Sequence, residues 1–336
     1  SIGAVIARNL FEAGFQGPIL TVNPKERAIR SSLNYSSVAD LPIPVDLAVV
    51  ATPPDAIPGI ISELGQKGCR AAVVITAGFG EGERAAGLEL RQKMLDAAKP
   101  HLLRIVGPNC IGFISTGPRI NASFAHLMPA KGDVAFVSQS GAMATAVLDW
   151  ASARGFGFSH IISLGDKADV DFGDLLDYLA LDNTTRAILL YVESITDARK
   201  FMSAGRIAAR AKPVIVIKAG RSAAGAKAAL SHTGALAGSD TVYDAAFRRA
   251  GMLRVNELRE LFEAVTTLSS GIRLAGDRLC VLTNGGGAGV LAVDALEGTP
   301  GRLGTLSDAT IAQLDKVLPS TWSRGTRRSK SLTGRS

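Results

Sequence analysis

His232 stands in Ser231-His232-Thr233-Gly234-Ala235-Leu236-Ala237-Gly238, framed by small residues in a chain with only four histidines. Small neighbours let such a loop enter a narrow cleft, where an imidazole can act as a nucleophile that carries a phosphoryl group. Two Gly/Ser-rich turns have the form of anion cradles. Ser138-Gln139-Ser140-Gly141 and Asn284-Gly285-Gly286-Gly287 each follow an apolar strand-like run and open a helix-like one. Backbone N–H groups at a helix start, with the positive end of the dipole, favour an anion by about 0.3 to 2 kcal/mol. A histidine nucleophile also needs its second ring nitrogen held by an acceptor. Glu193 directly follows the apolar run Ile188 to Val192, and the carboxyl end of a strand is where open α/β sheets place their ligand crevice.

Each feature also has a plainer reading: a turn that only joins strand to helix, a solvated loop histidine, a carboxylate that caps a helix. Lys25, after Asn23-Pro24, is a phosphate ligand or a surface lysine. The cluster Asp166-Lys167-Ala168-Asp169-Val170-Asp171 lacks the glycine and terminal Glu of an EF-hand and reads as helix capping and solvation. Cys110, in Gly107-Pro108-Asn109-Cys110-Ile111-Gly112, reads as an inert buried thiol. Cys69, Cys110 and Cys280 form no metal-ligand spacing, so no metal site and no disulfide framework are expected.

The elements that must position these residues alternate between short β-rich runs and longer helical patterns, which predicts α/β domains with mainly parallel sheets. Strands are expected at 19–22, 47–50, 71–75 and 104–106, each ending in a polar or Gly/Pro turn. After the loop 129–133, strands at 134–137, 159–164, 187–192 and 214–218 alternate with helices at 142–153, 171–181, 197–211, 239–250 and 257–268. The Gly/Ala/Ser-rich segment 220–238 breaks the rhythm as a loop and carries His232. A strand at 279–283 and a helix at 288–296 then repeat the strand, glycine turn, helix design of 134–153. The expected boundaries are 1–126, 130–270, 276–322 and a disordered basic tail at 323–336. The helical run 4–12 begins without a preceding strand, so the first strand and glycine turn of the first domain are expected to lie outside this chain.

Composition narrows the function classes. The chain has 336 residues, 47% hydrophobic and 20% charged, with no apolar run of membrane-spanning length and no signal segment. A cytoplasmic protein that binds no membrane is expected. Five of the seven excess positive charges sit in 323–336, which contains no acid. Without a basic stripe on the body, nucleic-acid binding is not expected.

Four stretches together resemble the NDP-forming acyl-CoA synthetases, relatives of succinyl-CoA synthetase: residues 107–112, Val137 to Gly141, Ser231 to Gly238, and Leu282 to Gly289. The resemblance implies a Rossmann-like CoA-binding domain followed by flavodoxin-like succinyl-CoA ligase domains. It implies the reversible reaction acyl-CoA + ADP + phosphate to carboxylic acid + CoA + ATP, through acyl phosphate and a phosphohistidine. His232 matches the phosphorylated histidine and Glu193 the glutamate that supports it. Ser138, Gln139, Ser140 and Gly141, with Asn284, Gly285, Gly286, Gly287 and Ala288, match the two helix starts that hold phosphate. Lys25, Thr52, Pro53, Pro54, Ile75, Thr76, Ala77 and Asn109 fall where CoA is bound. ATP or ADP, with magnesium, is handled by an ATP-grasp subunit or fused domain, and an oligomer is expected.

Three departures from the family pattern stand out: no glycine turn precedes residue 1, no ATP-grasp segment is present, and Trp322-Ser323-Arg324-Gly325 runs into a basic tail instead of Asn-Pro-Val-Asp. Two other readings are weighed against the ligase. A non-catalytic acyl-CoA-sensing region of a protein acetyltransferase is disfavoured because His232 is present. An NAD-dependent oxidoreductase is disfavoured because the glycine turns fit no dinucleotide fingerprint.

Overall fold

The computed structural model describes residues 1–80, 85–222, 224, 225, 227, 239–269, 272, 274–320, 322 and 324. His232 and its loop lie outside the described residues. The chain divides into two units, residues 1–270 and 271–336.

The first unit opens with α1 (Ile2–Glu12), capped by Ser1, whose hydroxyl accepts the Ala4 N–H. Three short strands, β1 (Thr21–Val22), β2 (Ala28–Ile29) and β3 (Ser32–Tyr35), form a small sheet in the order β1-β3-β2. Next come β4 (Leu47–Val50), α2 (Ile57–Gln66), β5 (Ala71–Val74), α3 (Ala85–Ala98) and β6 (Arg104–Val106). β4, β5 and β6 pair in parallel, with helices as the crossovers that parallel strands need. Ile57, Ile61 and Leu64 of α2 and Met94 and Ala98 of α3 are buried against them.

The larger sheet has seven strands in the order β13-β12-β11-β9-β10-β7-β8. They are β7 (Gly112–Ser115), β8 (Ile120–Ser123), β9 (Ala130–Ser138), β10 (Gly157–Ser163), β11 (Ala187–Val192), β12 (Val214–Lys218) and β13 (Leu253–Val255). β9 to β13 are mutually parallel, and β7 and β8 add antiparallel strands at one edge. Successive side chains enter opposite layers, as the pleat requires. Ala135, Val137, Ile188, Leu190, Val214 and Val216 meet α5 (Phe172–Leu181), α6 (Ala198–Ala211) and α7 (Asp240–Ala250). Val134, Phe136, Leu189 and Ile215 meet α4 (Gly141–Ser152) and α8 (Leu258–Ser269). The result is a doubly wound sheet, and the α/β architecture with mainly parallel strands agrees with the sequence pattern.

β7 and β8 were not expected as strands. They belong by sequence to the region before residue 126, yet β7 pairs with β10, His160 opposite Ser115. They tie the two halves of the first unit together. α1 joins this edge as well, since Asn9 Nδ2 donates to the carbonyls of Ser123 at 2.9 Å and Ala125 at 2.7 Å.

In the second unit β14 (Arg278–Leu279) pairs in parallel with β15 (Arg302–Leu303), flanking α9 (Gly286–Leu296); α10 (Asp308–Leu314) follows. The strand expected at 279–283 is thus confined to its start, because Cys280 to Thr283 has no ladder partner among the described residues. No described helix is long and apolar enough to cross a membrane.

Candidate functional site

Three turns at the carboxyl ends of β4, β5 and β6 are bonded in series. Thr76 Oγ1 donates to Thr52 O at 2.7 Å, and the Asn109 N–H donates to Thr76 O at 3.0 Å. The chain aligns these turns because parallel strands in register present their carboxyl ends together. Thr52 Oγ1 is buried and has no hydrogen-bond partner among the described residues, which is the state of a polar atom that a ligand can meet. Cys110 follows in the same turn. Its thiol donates to Val74 O at 3.4 Å, and burial pushes it up to about 12, so it is inert at neutral pH.

β9 and β11 supply the facing wall. The Ser138 hydroxyl donates to Ser140 O at 2.6 Å and accepts the Ser140 N–H at 3.1 Å, closing the turn on itself. Ser140 then caps α4 by accepting the Met143 N–H. Gly141 lets the helix start press against Ile111, whose Cγ2 lies 2.6 Å from where a Cβ would stand. Gln139 is buried, with its side chain committed to the end of β11. Its Oε1 accepts the N–H groups of Glu193 and Ser194, and its Nε2 donates to Ser194 Oγ at 3.2 Å. What the turn offers an anion is therefore the backbone at Gly141 and Ala142 and the Ser140 hydroxyl proton, while the Ser138 hydroxyl and the Gln139 amide are engaged within the protein.

These walls enclose a cleft of about 650 Å³. Of the residues proposed from sequence, Ile75, Thr76, Ala77, Asn109, Gln139, Ser140, Gly141 and Glu193 line it. Thr52, Pro53 and Pro54 lie beside it, leading into α2. Lys25 is on an exposed turn, its N–H held by Asn23 Oδ1 at 2.9 Å. Asn284 to Ala288 belong to the second unit. There Thr283 repeats the device of Ser138: its hydroxyl accepts the Gly285 N–H at 3.0 Å and donates to Gly285 O at 3.2 Å, leading into α9.

The structure adds residues that the sequence reading passed over. The loop between β10 and α5 was read as capping and solvation. Asp171 does cap α5, accepting the Gly173 and Asp174 N–H groups, but Lys167 is 5% exposed and lines the cleft. Burial pushes its ammonium down to about 8, against the opposing pull of Glu193 and Asp166. Arg91, from α3, reaches across to donate to Lys167 O at 3.2 Å. Beyond Glu193, Lys218 at the end of β12 is buried with its ammonium 4.6 Å from the Tyr243 ring centre, and burial lowers it too. The signal for Lys167 was present: its loop is another carboxyl-end turn of the same parallel sheet.

Comparison with known proteins agrees with this architecture. Residues 1–116 match a CoA binding domain family, and residues 131–268 match the succinyl-CoA ligase like flavodoxin domain. The chain is 44% identical over 318 residues to acetate–CoA ligase (ADP-forming) I of Archaeoglobus fulgidus, covering 95% of this chain and 46% of that protein. It is 43% identical over 301 residues to the alpha subunit of acetate–CoA ligase (ADP-forming) I of Pyrococcus furiosus, covering 88% of this chain and 65% of the subunit. Among solved structures, dinucleotide forming acetyl-coenzyme A synthetase 1 of Ca. Korarchaeum cryptofilum, in complex with phosphate and ADP, superposes with a TM-score of 0.94. It is 37% identical and covers 99% of this chain and 72% of that one. A CoA-binding domain joined to a flavodoxin-like ligase domain is the class of the alpha-type region of acyl-CoA ligases. The chain belongs to the NDP-forming acyl-CoA synthetases. It spans about half the length of its fused relative and corresponds to the alpha-subunit part.

Proposed function

We propose that this chain is the acyl- and phosphoryl-transfer part of an ADP-forming acid–CoA ligase, a soluble enzyme of the cytoplasm. The observation that carries the reading is the shared cleft, where Ile75 to Ala77 and Asn109 meet Gln139 to Gly141 and Glu193. One wall has the turns proposed for CoA. The other has a helix start suited to phosphate and a carboxylate suited to support a histidine.

In this reading a phosphate oxygen attacks the thioester carbonyl carbon. A C–O bond forms, the C–S bond breaks, and CoA leaves as thiolate. The α4 start holds the phosphate, with its dipole fixed before reaction so that no reorganisation is needed. His232 then attacks phosphorus; the P–N bond forms as the P–O bond to the acyl group breaks, releasing the carboxylate. Glu193 accepts a hydrogen bond from the proton-bearing ring nitrogen and balances the charge that develops there. Residues 284–288 form the second phosphate-binding helix start. CoA is gripped by Lys25, Thr52, Pro53, Pro54, Ile75, Thr76, Ala77 and Asn109, and Thr52 Oγ1 gains the partner it lacks.

An ATP-grasp subunit or fused region completes the enzyme. It would hold ADP and magnesium, and the metal would offset the negative charge of the nucleotide. ATP formation from acetyl-CoA, ADP and phosphate tests the assignment: it should require both this chain and the ATP-grasp part. A mixture of the two that makes no ATP with any short-chain acyl-CoA would refute it.

A further inference from the structure

Lys167 is anchored from every side except at its charge. Its N–H donates to Leu164 O at 3.2 Å, its carbonyl accepts from Arg91, and its backbone takes the left-handed conformation, φ 51°. Nothing about this backbone suits a lysine in particular, and a left-handed residue is more often glycine or asparagine. The ammonium nevertheless points inward. Among the described residues its one hydrogen-bond acceptor is Ser194 Oγ, at 3.5 Å. An ammonium carries three donors, and a buried one with a single long bond is costly unless something else meets it.

The surroundings say what that would be. Ser194 Oγ is also the acceptor of Gln139 Nε2, so Lys167 is one residue removed from the turn that opens α4. The charged groups acting on it are Glu193 at the end of β11, Asp166 in its own loop, Asp171 at the start of α5 and Arg91 from α3. Gly141 and Ala142 line the same cleft as Lys167, so the N–H groups of the helix start and this cation together suit a small oxyanion.

We propose that Lys167 binds the phosphate that attacks the thioester, holding it against the α4 start as a donor of charge-assisted hydrogen bonds. The role rests on the acid–CoA ligase reading above and deepens it. No proton is transferred to or from Lys167; it remains an ammonium throughout.

Arsenate is the probe. It replaces phosphate in attack on acetyl-CoA, forming a C–O bond as the C–S bond breaks. The acyl arsenate hydrolyses, so CoA thiol accumulates without nucleotide and can be followed with a thiol reagent. Lys167→Met keeps the length of the side chain and removes the charge. It is expected to raise the arsenate KM roughly ten- to hundredfold, to leave the acetyl-CoA KM near that of the unsubstituted chain, and to keep or raise the melting temperature. Lys167→Arg is expected to recover part of the affinity and to move the alkaline fall in activity to higher pH. An unchanged arsenate KM in Lys167→Met overturns the proposal, as does a lowered melting temperature with unchanged kinetics, which marks a purely structural lysine. Absence of arsenate-dependent thiol release from the unsubstituted chain overturns the reading of the cleft itself, and this role with it.

Discussion

Gln139 Oε1 accepts the backbone N–H of Glu193 at 3.1 Å and that of Ser194 at 3.0 Å. The residue that opens the phosphate-type turn thereby fixes where the strand end carrying Glu193 stands. The two strand ends of this wall, those of β9 and β11, are joined by one amide. Gln139→Leu keeps much of the volume and leaves two buried N–H groups unpaired, so a loss of about 1 to 3 kcal/mol in chemical denaturation is expected. ATP synthesis should fall with it, through kcat more than through the acyl-CoA KM, because Glu193 is displaced while the CoA wall is untouched.

The hydroxyl of Ser138 closes its turn with two bonds, and Ser140 caps α4 with a third. Ser140→Ala should cost about 0.5 to 2 kcal/mol as a lost helix cap. Ser138→Ala should cost a comparable amount, whereas Ser138→Thr should cost little if any, since Thr283 performs the same task before α9. A Thr variant as unstable as the Ala variant would show that the turn is held by something else.

Gly165, φ 54°, passes so close to the Asn109 turn that a Cβ there would overlap the carbonyl oxygens of Pro108 and Asn109. This is where the loop carrying Lys167 meets the turns proposed for CoA. Gly165→Ala is expected to destabilise the first unit by roughly 1 to 3 kcal/mol and to weaken CoA binding measured by calorimetry. Wild-type stability in that variant would mean that the two loops are free to part.

The His160–Asp182 pair gives a pH signature. Burial opposes ionisation of Asp182, but hydrogen bonds from Thr185, Thr184 and His160 outweigh it and hold the carboxyl down to about 2. A carboxyl depressed in the folded state adds stability that is present above its unfolded value near 4 and is lost as pH falls through about 2. Asp182→Asn should therefore melt lower than the unsubstituted protein at pH 7, with the gap closing between pH 4 and pH 2. Lys167 has the opposite consequence at the alkaline end. The cost of its buried charge is fully present below pH 8 and is relieved as pH rises towards its ordinary value near 10.4. Any thermal advantage of Lys167→Met should shrink over that window.

Much of this site was legible in the sequence, for a definite reason. Periodicity places strand ends, and the rule that parallel strands gather their ligands at carboxyl ends then singles out Thr76, Asn109, Gln139 and Glu193 without any contact being known. The same rule covers Lys167, which ends the turn after β10, but its acidic and apolar neighbours Asp166, Ala168, Asp169, Val170 and Asp171 read equally well as a capping loop. Burial of a single lysine has no local signature. Arg91 was hidden more deeply, because an arginine inside a helix points to nothing until the loop it reaches is placed. Strands β7 and β8 escaped because short edge strands take their partners from distant sequence, here β10. At Ser138 the sequence shows an anion-type turn but not what shapes it: the hydroxyl donates to Ser140 O and accepts the Ser140 N–H.

The central claim is that His232 carries the phosphoryl group between the acyl phosphate and the nucleotide. The direct measurement is incubation of this chain, together with the ATP-grasp part proposed for it, with magnesium and γ-labelled ATP, followed by peptide mapping. Label that is acid-labile, base-stable and confined to the peptide containing His232 is the expected result, with none on a His232→Asn variant and little on Glu193→Gln. Undiminished label on His232→Asn would contradict the account.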